Sequence, residues 1–146
     1  MAQSIPILPA FDPILTSVQT KDMTTEFADF KAQQNARNAI QSNIRKWCWM
    51  LCDSLLQDHV SKNKGKTDGY AFFVQSGRKY HKIVKENGLG FQSAHCFVDR
   101  KTGEVYKPAS SKAPKKDALF NICLIKDREW LFENADSVGY YLYLNS

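Results

Sequence analysis

Residues 69–107 read GYAFFVQSGRKYHKIVKENGLGFQSAHCFVDRKTGEVYK, and this stretch decides the fold. Tyr70, Phe72 and Val74 alternate with Ala71, Phe73 and Gln75, a period of two in aromatic and β-branched residues that predicts a strand. Ser76-Gly77 then predicts a tight turn, with glycine supplying a positive φ, into a second strand from Lys79 to Lys85. After a glycine-bearing turn at Asn87, Gly88 and Gly90, a third strand runs from Ser93 to Asp99. It alternates Ala94, Cys96 and Val98 against His95, Phe97 and Asp99. Asp99 opens the next turn, Gly103 is its left-handed position, and Glu104 to Lys107 forms a fourth strand. The product is an antiparallel meander with one wet face, whose other face needs an apolar cover.

Working outward, the cover lies upstream. Ile40, Ile44, Trp47, Cys48, Leu51, Leu55 and His59 fall three or four apart, an apolar stripe within a helix expected from about Thr24 to His59, with a break near Gln33 to Asn35. Residues 1–21 carry Pro6, Pro9 and Pro13 and read as an extended arm. Residues 61–68, SKNKGKTD, close the helix as a polar linker. Downstream, PASSKAPKKD at residues 108–117 reads as a surface loop. A buried strand or turn is expected over residues 118–125, then a short helix capped by Asp127 and a last strand over residues 138–144. The fold class is therefore α+β: a meander of four or five strands packed on one long N-terminal helix, with a short C-terminal helix. The division expected is an arm at 1–21 and a single domain at 22–146.

Composition bounds the function. A chain of 146 residues with 24% charged and 43% hydrophobic residues is ordinary globular material. With neither a membrane-length apolar run nor a secretory pattern, the expectation is a cytoplasmic protein without membrane contact. The net charge of +5 is unevenly distributed. Residues 60–117 hold thirteen Lys or Arg against five Asp or Glu, whereas the remainder holds seven against ten.

A resemblance covers about half the chain. Lys79-Tyr80, Lys82-Ile83, Ser93, His95, Phe97-Val98-Asp99, Thr102-Gly103, Val105-Tyr106-Lys107, Ala109-Ser110, Lys112-Ala113-Pro114 and Lys116 resemble a family of small proteins of tailed bacteriophages, mainly marine ones. Ala135-Asp136, Gly139, Tyr140, Leu142 and Tyr143 extend the match. The resemblance implies a viral origin and no catalytic activity, and leaves the arm and long helix as an addition. Where this chain has Ser111, that family usually carries an aromatic.

Four constellations bear on chemistry. Lys79, Lys82 and Lys85 on one strand, Lys107 at the next strand's end and Lys112, Lys115 and Lys116 in the loop can neutralise phosphates. Tyr106, Tyr80 or Phe97 can stack on bases. The bland alternative is a solvated face that blunts sheet edges. His81, His95, Asp99, Glu104 and Lys107 form a catalytic candidate, with His95 and Asp99 on one strand face, but their spacing matches no signature and Asp99 is more simply a turn residue. Cys48, Cys52 and His59 share a helical face that Cys96 and Cys123 could approach, yet no Cys-x2-Cys knuckle is present, so reduced core thiols are favoured over zinc. Trp49, Tyr140, Tyr141 and Tyr143 fall outside the stripe and suggest a covered contact surface.

The resulting expectation is a non-enzymatic phage accessory protein without cofactor or metal. Its basic sheet-and-loop face would bind DNA or RNA with little sequence preference in the host cytoplasm. The alternative is a virion component or host-factor ligand that docks through the arm and helix, as a homo-oligomer or within a larger viral assembly.

Overall fold

The computed structural model describes the backbone of residues 13–144 and the side chains of residues 25–144. Its elements are α1 (Pro13–Lys62), β1 (Ala71–Ser76), β2 (Tyr80–Glu86), β3 (Gln92–Asp99), β4 (Glu104–Pro108), β5 (Pro114–Asn121), α2 (Ile125–Asn134) and a 3-10 turn at Tyr140–Tyr143. The chain divides between Ala39 and Ile40 into two units.

The first unit is helical from Pro13 onward. Proline suits the first helical position, where no intrahelical partner is asked of its missing N–H. Residues 13–21 of the expected extended arm are therefore helix, and residues 1–12 lie outside the described residues. The break expected near Gln33 is absent, because the run 28–39 holds neither glycine nor proline and includes four alanines. Every described side chain from 25 to 39 is exposed, Phe27 and Phe30 at 62% and 60%.

In the second unit the rest of α1 and a five-stranded antiparallel sheet, in the order β1-β2-β3-β4-β5, share one core. Ile44, Cys48, Leu51, Cys52 and Leu55 meet Phe72, Ile83, Cys96, Val98, Val105 and Phe120, and Leu131, Tyr141 and Leu142 close it from the C-terminal side. Each such side chain adds roughly 1.5–3 kcal/mol by leaving water. The stripe starts at Ile44, since Ile40 is 46% exposed. His59 ends it as a polar closure, Nε2 lying 3.1 Å from the Thr67 carbonyl while the ring stacks on Tyr70 at 4.0 Å.

Four sequence expectations are corrected. PASSKAPKKD is a tight hairpin: Pro108 ends β4, Pro114 begins the edge strand β5, and the Ala109 N–H donates to the Ala113 carbonyl at 2.9 Å. Proline is tolerated at both places because neither must donate to a central ladder. Gly77 does not take a positive φ; a wider loop closes through its N–H on the Tyr80 carbonyl at 2.9 Å. Residues 138–144 form no strand, because Asp136 captures the N–H groups of Gly139, Tyr140 and Tyr141 at 3.0–3.2 Å and winds them into the 3-10 turn. Asp127 accepts the Asn121 N–H at 2.8 Å instead of capping α2. Gly103, by contrast, holds φ +80°, and a Cβ there would sit 2.6 Å from Cys123 Sγ, so the turn after Asp99 accepts no larger residue without strain.

A β-bulge in β3 sets the faces. Ile83 opposes Cys96 and Val84 opposes Ala94, so His95 is the extra residue. It turns with Cys96 into the core, where its Nε2 lies 2.7 Å from the Tyr141 hydroxyl and its ring meets Phe72 edge-on. His95 and Asp99 thus do not share the face that strict alternation gives them.

Candidate nucleic-acid interface

The uncovered side of the sheet is built around aromatic rings. Tyr80 packs edge-to-face on Phe97 at 5.9 Å and on Tyr106 at 5.8 Å, which fixes the plane of its ring. Phe97 is only 3% exposed, so the trio covers itself and leaves the half-buried Tyr80 and Tyr106 as the accessible rings. Lys79 holds its ammonium 5.4 Å from the centre of the Tyr80 ring.

Two turns frame this surface. The β4–β5 hairpin folds back over the sheet, and Lys82 Nζ donates to the Ser111 carbonyl at 2.8 Å. The β1–β2 turn is tied down by Arg100, whose guanidinium donates to the Gly77 carbonyl at 2.6 Å. Between them lies a groove of about 420 Å³ lined by Gln75, Ser76, Gly77, Arg78, Lys79, Tyr80, Lys82, Phe97, Ser111 and Lys112. Four of these residues are cationic and none carries a carboxylate. Among the described residues the one ion pair is Lys62 with Asp58 at 3.0 Å, so no groove cation is held in an ion pair, although Asp99 lines an adjoining cavity with Arg78 and Lys79. Glu104, which receives the Thr102 hydroxyl at 3.1 Å and faces Asn121 across the β4–β5 ladder, brings negative charge beside Tyr106 and bounds the basic region.

The expected lysines separate on this geometry. Lys79, Lys82 and Lys112 line the groove, and Tyr106 stands against Tyr80. Lys85 and Lys107 do not join them. Lys85 donates to the Ser137 carbonyl at 2.9 Å, and Lys107, 9% exposed, lies 4.6 Å from the centre of the Tyr143 ring. Lys115 and Lys116 are exposed on the edge strand β5, where charge also deters pairing with another sheet. Arg78 is the groove cation that sequence reasoning passed over; its position in the turn before Lys79 was the available signal.

The other candidates do not line the groove. Asp99 Oδ1 accepts the N–H groups of Lys101 and Thr102 at 2.8 and 3.0 Å, the turn role expected of it. His81 Nδ1 is hydrogen-bonded to Ser76 Oγ at 2.7 Å. Burial pushes the imidazoles of His81 and His95 down to about 4, with Arg100 and Arg45 adding to the effect at His81 and Lys85 at His95. Cys48, Cys52 and Cys96 are buried in the core as thiols, and burial pushes Cys52 up to about 12. Trp49, Tyr140 and Tyr143 are exposed, whereas Tyr141 is core. No helix among the described residues is long and apolar enough to cross a membrane.

Fold and site together define a small α+β protein whose sheet is covered on one side and carries an aromatic, cationic groove on the other. The model of a family of unknown function, DUF7717, matches residues 27–144, and the chain belongs to that family. The match takes in α1 from Phe27, so most of the long helix is a family feature and not an addition. No curated protein and no solved structure matches the chain.

Proposed function

We propose that this protein binds nucleic acid with little sequence preference through the groove on the open side of its sheet, as a non-enzymatic accessory protein of a phage acting in the host cytoplasm. The observation that carries the reading is the lining itself: Arg78, Lys79, Lys82 and Lys112 around aromatic rings, with no carboxylate among them. Flexible ammonium groups meet phosphate as point charges and read no base edge, which supports the lack of sequence preference. The phage origin rests on the residues from Lys79 to Lys116 that resemble phage proteins.

The test is binding of labelled DNA or RNA, followed by fluorescence anisotropy across a salt series. Neutralising about four phosphates gives a log–log slope of about −3, so that affinity falls about fiftyfold between about 50 and 200 mM salt. Absence of binding at low salt, or a flat salt response, would remove the proposal.

The exposed helix favours a second reading, docking within a larger viral assembly or on a host factor, since Phe27 and Phe30 are both more than half exposed. Under it, the protein forms a species above monomer mass by light scattering, and Phe27→Ser with Phe30→Ser abolishes that species while nucleic-acid affinity is kept. A monomeric mass at high concentration counts against self-association.

A further inference from the structure

Resting on the nucleic-acid reading above, we infer that the groove is selective for single strands and takes one unpaired base against Tyr80. The site is concave and has an aromatic floor. Its rim cations stand on two separate turns, Arg78 and Lys79 on one and Lys112 on the other. A duplex keeps its bases stacked inside and offers only phosphates to such a rim, so the floor would go unused. A single strand can turn a base inward while its backbone passes between the turns, and each base stacked on an aromatic ring contributes about 1–3 kcal/mol.

Tyr80 is placed for this role by its neighbours. Phe97 on β3 and Tyr106 on β4 pack edge-to-face against it, so its ring plane is set before any ligand arrives. Lys79 lies over that ring and is exposed, and an incoming base displaces its ammonium from the ring toward the phosphate. Lys82 is oriented by the Ser111 carbonyl, a neutral acceptor that leaves its positive charge available to the backbone. The volume of about 420 Å³ accommodates a nucleobase and its sugar.

The experiment compares an unstructured oligonucleotide of about 12 nucleotides with the duplex of the same length, within the usual site size of such grooves. By anisotropy at low salt, the single strand is expected to bind at least about tenfold more tightly, and Tyr80→Ala to lower single-strand affinity about tenfold and to narrow the gap between single strand and duplex. Because Tyr80 is half-buried, a second measurement uses the unaltered protein: irradiating a bound strand that contains bromouracil should cross-link the peptide bearing Tyr80. Equal affinity for both forms, or cross-links confined to peptides outside the groove, would overturn single-strand selectivity while leaving nucleic-acid binding standing. Failure of both probes to bind would overturn both.

Discussion

Exchanging Lys79, Lys82 and Lys112 together for glutamate is expected to lower nucleic-acid affinity about a thousandfold and to flatten the salt dependence by about two in slope. The three ammonium groups line one groove, and no carboxylate among its lining residues offsets them. Each exchange removes a counterion-releasing contact and brings a like charge toward the phosphates. Lys79 and Lys112 are exposed, and Lys82 contacts only a turn carbonyl there, so the fold should persist; an unchanged far-UV spectrum checks it. Lys107→Gln is the informative contrast. Its ammonium is buried against Tyr143 on the covered side of the sheet, so its loss should reduce stability and leave affinity where it was. Affinity that fell equally in both variants would mean that the groove is not the binding surface.

The second large effect is acid sensitivity. His95 is sealed in the core beside Tyr141, and its burial, reinforced by Lys85 and opposed by Asp136, lowers its proton affinity from about 6.5 to about 4. Between those values the unfolded chain binds the proton and the folded chain does not. Stability is therefore complete above about pH 6.5 and is lost progressively as pH falls toward 4, by roughly 3 kcal/mol from this one residue. His81 is shifted in the same direction and steepens the loss. Urea unfolding midpoints measured from about pH 7 to pH 4 should fall steeply, and His95→Gln should be less stable at neutral pH but shallower in its pH response. A profile for His95→Gln as steep as that of the unaltered protein would rule out His95 as the group responsible.

Much of the fold was legible because its signals are local. A period of two, broken by Asp99 and Gly103, places strands and turn without reference to any distant residue. The stripe of Ile44, Cys48, Leu51 and Leu55 likewise announces a covering helix. The candidate site was less legible. The seven candidate lysines fall within residues 79–116, but alternation within β2 and β4 sends Lys85 and Lys107 to the covered face and Lys82 to the open one. The hairpin that carries Ser111 and Lys112 back over the sheet depends on where Pro108 and Pro114 pair, which no local pattern signals. Nor does the pattern of residues 138–144 reveal that Asp136 captures three backbone donors.

The sequence by itself determined the α+β class, the order of the strands and the helix that covers them, because side-chain periodicity and turn chemistry act over a few residues. Only the tertiary structure decided which cations meet in one groove and that His95 turns into the core. The physical reason is register: one extra residue at His95 reverses the side to which that side chain points, and a returning hairpin brings together residues that are distant in the chain.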